Sequence, residues 1–184
     1  MHRIRLHFLA LLLATASALA QTASAAERKF SLPDHGYFVI RVPSDWKDQV
    51  RQSPNRLPPT ITFGPGSGKP FQVLLTTLWP ATKDRPPLSR DQLRAGVERD
   101  ARRVKAQAVE SELPLVGFQG QSGPGFYFAA TDRAPKPGEF KFLTQGVILV
   151  GELTVTFTIL TNDGQELIIK QALDALKGAK QEGT

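Results

Sequence analysis

The sequence predicts an α+β fold: an antiparallel β-sheet of about six to seven strands with helices packed on its faces. Three observations lead there. Strand-like segments come in runs joined by short Gly- and Pro-rich turns rather than alternating with helices. One long amphipathic helix interrupts them, and a second closes the chain. With 41% hydrophobic and 22% charged residues over 184 positions, the chain has enough apolar material for a packed core and is too apolar for disorder.

Residues 1–20 stand apart from this pattern. Arg3 and Arg5 precede an apolar run, 8–20, broken only by Thr15 and Ser17. A basic start, a short apolar stretch and small residues at a cut site describe a secretory signal peptide. The run is too short for a membrane span, which needs about 20 apolar residues. Two small-x-small sites compete: Ala18-Leu19-Ala20 before Gln21, and Ala23-Ser24-Ala25 before Ala26. The leader is drawn as 1–20, with 25 as the later limit, and a single domain as 27–184. A periplasmic or secreted, soluble protein is expected. Losing Arg3 and Arg5 lowers the net charge from +6 to +4, and losing His2 and His7 leaves His35 as the sole histidine. A mature chain of about 160 residues buries about 70% of its unfolded surface, so its core needs no staples.

The elements follow in order. Residues 37–42 alternate, with Phe38, Ile40 and Val42 on one face, until Pro43-Ser44-Asp45 breaks the strand. Residues 52–59 hold three prolines and Asn55 and read as a loop. A short strand at 60–63 leads into Gly64-Pro65-Gly66-Ser67-Gly68-Lys69-Pro70, a turn-rich hairpin connection. The strand at 71–79 is apolar on both sides and is expected inside a sheet covered on both faces.

Ser89 and Gln92 have capping-box spacing, with Leu88 and Leu93 placed for a hydrophobic staple. Leu93, Val97, Ala101, Val104 and Ala108 then form one stripe, which predicts a helix over 90–108. Glu98 and Arg102 are spaced to pair on it. Four strands follow, near 113–119, 126–131, 140–150 and 153–159. In the last, Leu153, Val155, Phe157 and Ile159 face inward, opposite Thr154, Thr156 and Thr158. Ile169, Ala172, Leu173 and Leu176 give the closing helix its stripe, and Gly178 stops it.

The segment Tyr37-Phe38-Val39-Ile40-Arg41-Val42-Pro43-Ser44-Asp45-Trp46-Lys47, a strand ending in Pro-x-x-Trp-Lys, resembles the opening of PsbP-like domains. The run from Gly125 through the meander to Ala175 is similar to that pattern as an order of elements. The superfamily is named for an extrinsic photosystem II subunit and shares an α/β/α sandwich with a Ran-binding nuclear import factor. The resemblance implies that sandwich and an accessory, interaction-type role rather than an enzymatic one. Exported bacterial members are often lipid-anchored; this chain has no cysteine to lipidate. No metal or partner site of the photosystem subunit maps onto residues here.

Chemistry is sparse. Absent cysteine excludes disulfides, thiol catalysis and iron–sulfur clusters. Ser44-Asp45-Trp46-Lys47 matches Ser-x-x-Lys, but it follows a strand and lacks the companion motifs of the acyl enzymes. The glycines at 64–68 lack phosphate-loop spacing and a following helix. Gly120-Gln121-Ser122-Gly123-Pro124 fails as a nucleophile elbow at its final position. His35, beside Asp34, could act as a base or ligand; without a second histidine a zinc site would need several carboxylates, and it reads as a turn residue. No catalytic, metal or cofactor residues are assigned.

Two surfaces remain. Arg99, Arg102 and Arg103 point away from the helix stripe and form a candidate partner-binding face for an acidic protein or anionic headgroups. The threonine face of the last strand is a second flat candidate. The leading expectation is a non-enzymatic exported domain that binds a protein or another envelope component. An envelope hydrolase using carboxylates distant in sequence, and a small-molecule carrier with a pocket between helix and sheet, are the alternatives. Nucleic acid is not expected as a partner, because a charge of +4 on an exported chain offers little attraction.

Overall fold

The computed structural model describes residues 24–52, 57–80 and 86–183. The leader expected at 1–20 lies outside the described residues. In chain order the strands and helices are β1 (Ala25–Leu32), β2 (Gly36–Pro43), β3 (Trp46–Arg51), β4 (Thr60–Pro65), β5 (Gln72–Leu78) and α1 (Arg90–Val104). They continue with β6 (Val116–Gln119), β7 (Pro124–Thr131), β8 (Phe142–Val150), β9 (Leu153–Thr161), α2 (Glu166–Lys177) and β10 (Lys180–Glu182). The fold is mixed α+β and dominated by antiparallel strands.

The strands form two sheets, not the single one expected. A three-stranded sheet has the order β1-β2-β10, and a seven-stranded sheet the order β3-β4-β5-β9-β8-β7-β6. The segment at 37–42 therefore leaves the large sheet, and β3 takes the edge place. Pro43-Ser44-Asp45 is the corner between the sheets, where the chain passes from β2 in the small sheet to β3 at the edge of the large one instead of turning back as a hairpin. Gly66 packs against the Asp45 carbonyl at this corner, where any Cβ would collide with it.

One face of the large sheet carries the main core. Phe63, Leu75, Val155, Phe157 and Ile159 pack there against Phe30, Phe38 and Ile40 of the small sheet and Ala172 and Leu176 of α2. Trp46 closes this core at 2% exposure. The plain α/β/α sandwich implied by the resemblance does not form, because α2 shares its face of the large sheet with the three-stranded sheet.

The opposite face carries α1. Leu93, Val97 and Ala101 bury against Phe126, Phe128, Ala130 and Val147 of β7 and β8, each large apolar side chain contributing about 1.5–3 kcal/mol. The capping box forms in full: Ser89 Oγ accepts the Gln92 N–H at 3.2 Å, and Gln92 Oε1 accepts the Ser89 N–H at 2.8 Å. The helix stops at Val104 rather than 108, continuing as a 3-10 turn over Lys105–Gln107. Ala108 is buried but extended, bridged to Asp132 instead of extending the helix.

Candidate functional site

Helix α1 lies over β7 and β8, and so, among the described residues, leaves the β4-β5-β9 part of the same face without a helical cover. Alternation decides which residues line it. The outward side chains are Thr60 and Thr62 of β4, Leu74, Thr76 and Leu78 of β5, and Thr154, Thr156 and Thr158 of β9. Register then aligns Thr60, Thr76 and Thr156 in one row across three neighbouring strands. Oγ1 of Thr60 and Oγ1 of Thr76 lie 3.4 Å apart. Along β9 the threonines repeat every second residue, roughly 6.6 Å apart. All six are half-buried, while Leu78 is exposed. The strand at 71–79 lies inside the sheet as expected, between β4 and β9, but among the described residues its outward face is only half-covered, with Leu78 exposed.

At one end this face opens into a cleft of about 800 Å3 lined by Gln72, Leu160, Gln107, Arg133 and Phe140, among others. Its wall is fixed, because Arg133 donates to the Ala108 carbonyl at 2.7 Å and its backbone N–H to Gln107 at 2.9 Å. The flank of α1, the hydroxylated strands and this cleft thus lie side by side, and we call this stretch of surface the trough.

The arginines of α1 do not converge. Arg99, Arg102 and Arg103 are all exposed. Arg103 pairs with Asp100 at 3.1 Å. Arg102 turns instead toward the other flank, a groove of about 450 Å3 shared with Arg94, Glu98, Glu112 and Leu115. The expected Glu98–Arg102 pair is replaced by Arg94–Glu98 at 3.0 Å. That orientation places the acid C-terminal to the base, the weaker order for a helix pair.

A third, smaller pocket of about 160 Å3 lies where β7 and β8 meet the start of α2. Glu110 and Glu166 border it, with Thr131, Thr144, Thr161 and Asn162. Burial works against the Glu110 charge, but the Thr131 N–H at 2.9 Å and hydroxyl at 2.7 Å outweigh it, holding the carboxyl below its ordinary range. A carboxylate so held is a poor proton donor near neutral pH. That Glu110 and Glu166, distant in sequence, border one pocket had no local signal.

His35 sits in the β1–β2 turn and stacks on Trp79, ring centroids 4.7 Å apart and 29° between planes. Its backbone carbonyl accepts from Gln181 at 3.0 Å. Ser44 lies in the corner turn and Lys47 on β3, with no helical turn to join them. Among the described residues no group of three or more His, Asp or Glu is arranged to hold a metal ion. Among them, too, no helix is long and apolar enough to cross a membrane. Comparison with protein-family models, with curated proteins and with solved structures gave no match.

Proposed function

We propose that this chain is an exported, non-enzymatic binding domain that engages a protein or another cell-envelope component through the trough beside α1. One observation carries the reading: the row Thr60–Thr76–Thr156, half-buried on three paired strands and, among the described residues, left without a helical cover. Six hydroxyls at strand spacing offer both donors and acceptors, and Leu74, Leu78 and Leu160 supply apolar area between them. Export is supported by Arg3, Arg5 and the apolar run at 8–20. The accessory role implied by the PsbP-like segment at 37–47 points the same way.

The test is a crosslinking pull-down from envelope extract with the tagged mature chain as bait. One saturable partner, lost in Thr76→Lys or Thr156→Lys and retained when Arg99, Arg102 and Arg103 become glutamate, is expected. Loss only in the arginine variant moves the binding face to the solvent side of α1. No saturable partner overturns the protein-binding form of the proposal.

A further inference from the structure

The small pocket beside the start of α2 contains hydroxyls that the fold does not use. Thr144 and Thr161 line it and are 3% and 1% exposed. Neither hydroxyl makes a hydrogen bond among the described residues. Nor is either oxygen sealed in, as that of Thr77 is, so both open onto the pocket. Buried hydroxyls are ordinarily paired, and two left open on one cavity point to a guest that pairs them.

Strand register builds the floor of this pocket. Thr131 stands opposite Phe142 and Phe142 opposite Thr161, so the three share one face of β7, β8 and β9. Ala129 and Thr144 form the next pair on that face. Thr144 also stands opposite Ile159, whose side chain packs in the core beneath α2. The pocket thus lies on the face away from the threonine trough, and the inference does not rest on the trough's binding a partner.

Charge and size decide what the guest is. Glu110 and Glu166, the first residue of α2, border the pocket. Each Glu110 oxygen accepts one bond from Thr131, which leaves further lone pairs for a donor. The neighbouring cations are held elsewhere: Lys170 by Asp174 at 2.7 Å and Lys141 by Asp163 at 2.8 Å. Two carboxylates repel an anion and attract a cation. Ala129, Leu143 and Ile169 add apolar wall. At about 160 Å3 the space is well below the roughly 300 Å3 of sites for drug-sized ligands, so the guest is the size of one side chain. A primary ammonium has three N–H donors and no acceptor, and its alkyl stem buries along apolar surface. We propose that the pocket binds the primary ammonium of an aliphatic amine, either a lysine side chain of a partner polypeptide or a free alkylamine. The head donates to Glu166, Glu110 and the Thr161 hydroxyl, and the stem lies along Ile169 and Leu143.

The experiment is a titration of n-butylammonium chloride into the full chain at constant ionic strength, followed by NMR of labelled threonine and isoleucine methyl groups. Saturable shifts at Thr144, Thr161 and Ile169 are expected, with 1-butanol binding about tenfold more weakly or worse. Glu166→Gln should weaken binding about tenfold, the loss of one charge-assisted contact. Thr161→Val should weaken it several-fold and leave the urea midpoint unchanged or raised, because its hydroxyl holds nothing within the fold. Nα-acetyl-lysine amide binding at least as tightly as butylammonium identifies a polypeptide source, and binding of butylammonium alone identifies a free amine. Butanol that saturates as tightly overturns the proposal, since the pocket is then merely apolar. Undiminished binding in Glu166→Gln overturns it too, and the absence of any saturable shift would show that water alone fills the space.

Discussion

Gln165 Nε2 donates to the Pro70 carbonyl at 3.1 Å, tying the start of α2 to the β4–β5 hairpin loop 95 residues earlier in the chain. The same side chain accepts the Asn162 N–H through Oε1 at 2.7 Å. It is only 6% exposed, so its amide is committed to these partners rather than to water. Gln165→Leu should cost about 1 kcal/mol, the net worth of the hydrogen bonds it removes. Urea unfolding measures this, and an unchanged midpoint would show that the tie contributes nothing.

Thr77 presents the opposite case. It is fully buried on the core side of β5, and its hydroxyl has no hydrogen-bond partner among the described residues. Thr77→Val removes the unsatisfied group while keeping the branched shape. A gain of about 1 kcal/mol in unfolding free energy is expected. A loss would mean that the hydroxyl is satisfied in solution.

Stability should fall with acid partly through Glu110. Its carboxyl is held below the ordinary range in the fold, so the carboxylate's contribution is complete above the unfolded-state value. It is lost as pH drops through the lowered folded value. Glu110→Gln should flatten that limb of a stability-against-pH curve, whereas an identical acid limb in the variant would remove Thr131 as its cause.

Ser89→Ala should lower stability by about 1 kcal/mol, because it removes the acceptor for the Gln92 N–H at the start of α1. Chemical denaturation of the variant checks it. Ser89→Asp, which keeps an acceptor, should recover most of the loss.

How much of this was legible in the chain depends on whether information was local. The cap at Ser89 and Gln92, the stripe through Leu93, Val97 and Ala101, and the alternation from Leu153 to Ile159 each lie within one element, and each was readable. Strand β3 was not: Lys47, Asp48, Gln49, Val50 and Arg51 are all exposed, so no buried face imposes a period on them. Strand β1 shows apolar alternation only at Phe30 and Leu32, and β10 has just three residues. Neighbouring strands, not their own composition, make these segments strands. The threonine trough was half legible. Thr154, Thr156 and Thr158 announce one face, but only the pairing of β4 with β5 and of β5 with β9 brings Thr60 and Thr76 beside them.

The central strand of the small sheet, β2, takes β1 on one edge and β10 on the other. Lys180, Gln181 and Glu182 therefore complete a sheet whose other strands end at Pro43. That edge is closed by the strand pairing of longest sequence separation among the described residues, Lys180 opposite Val39 through Glu182 opposite Tyr37, so the small sheet joins segments that lie far apart along the chain. Gly36 is the residue that lets β10 come so near, since its backbone (φ 71) packs against the carbonyls of Glu182 and Gly183, leaving no room for a side chain: one position in the first hairpin decides whether the end of the chain can dock.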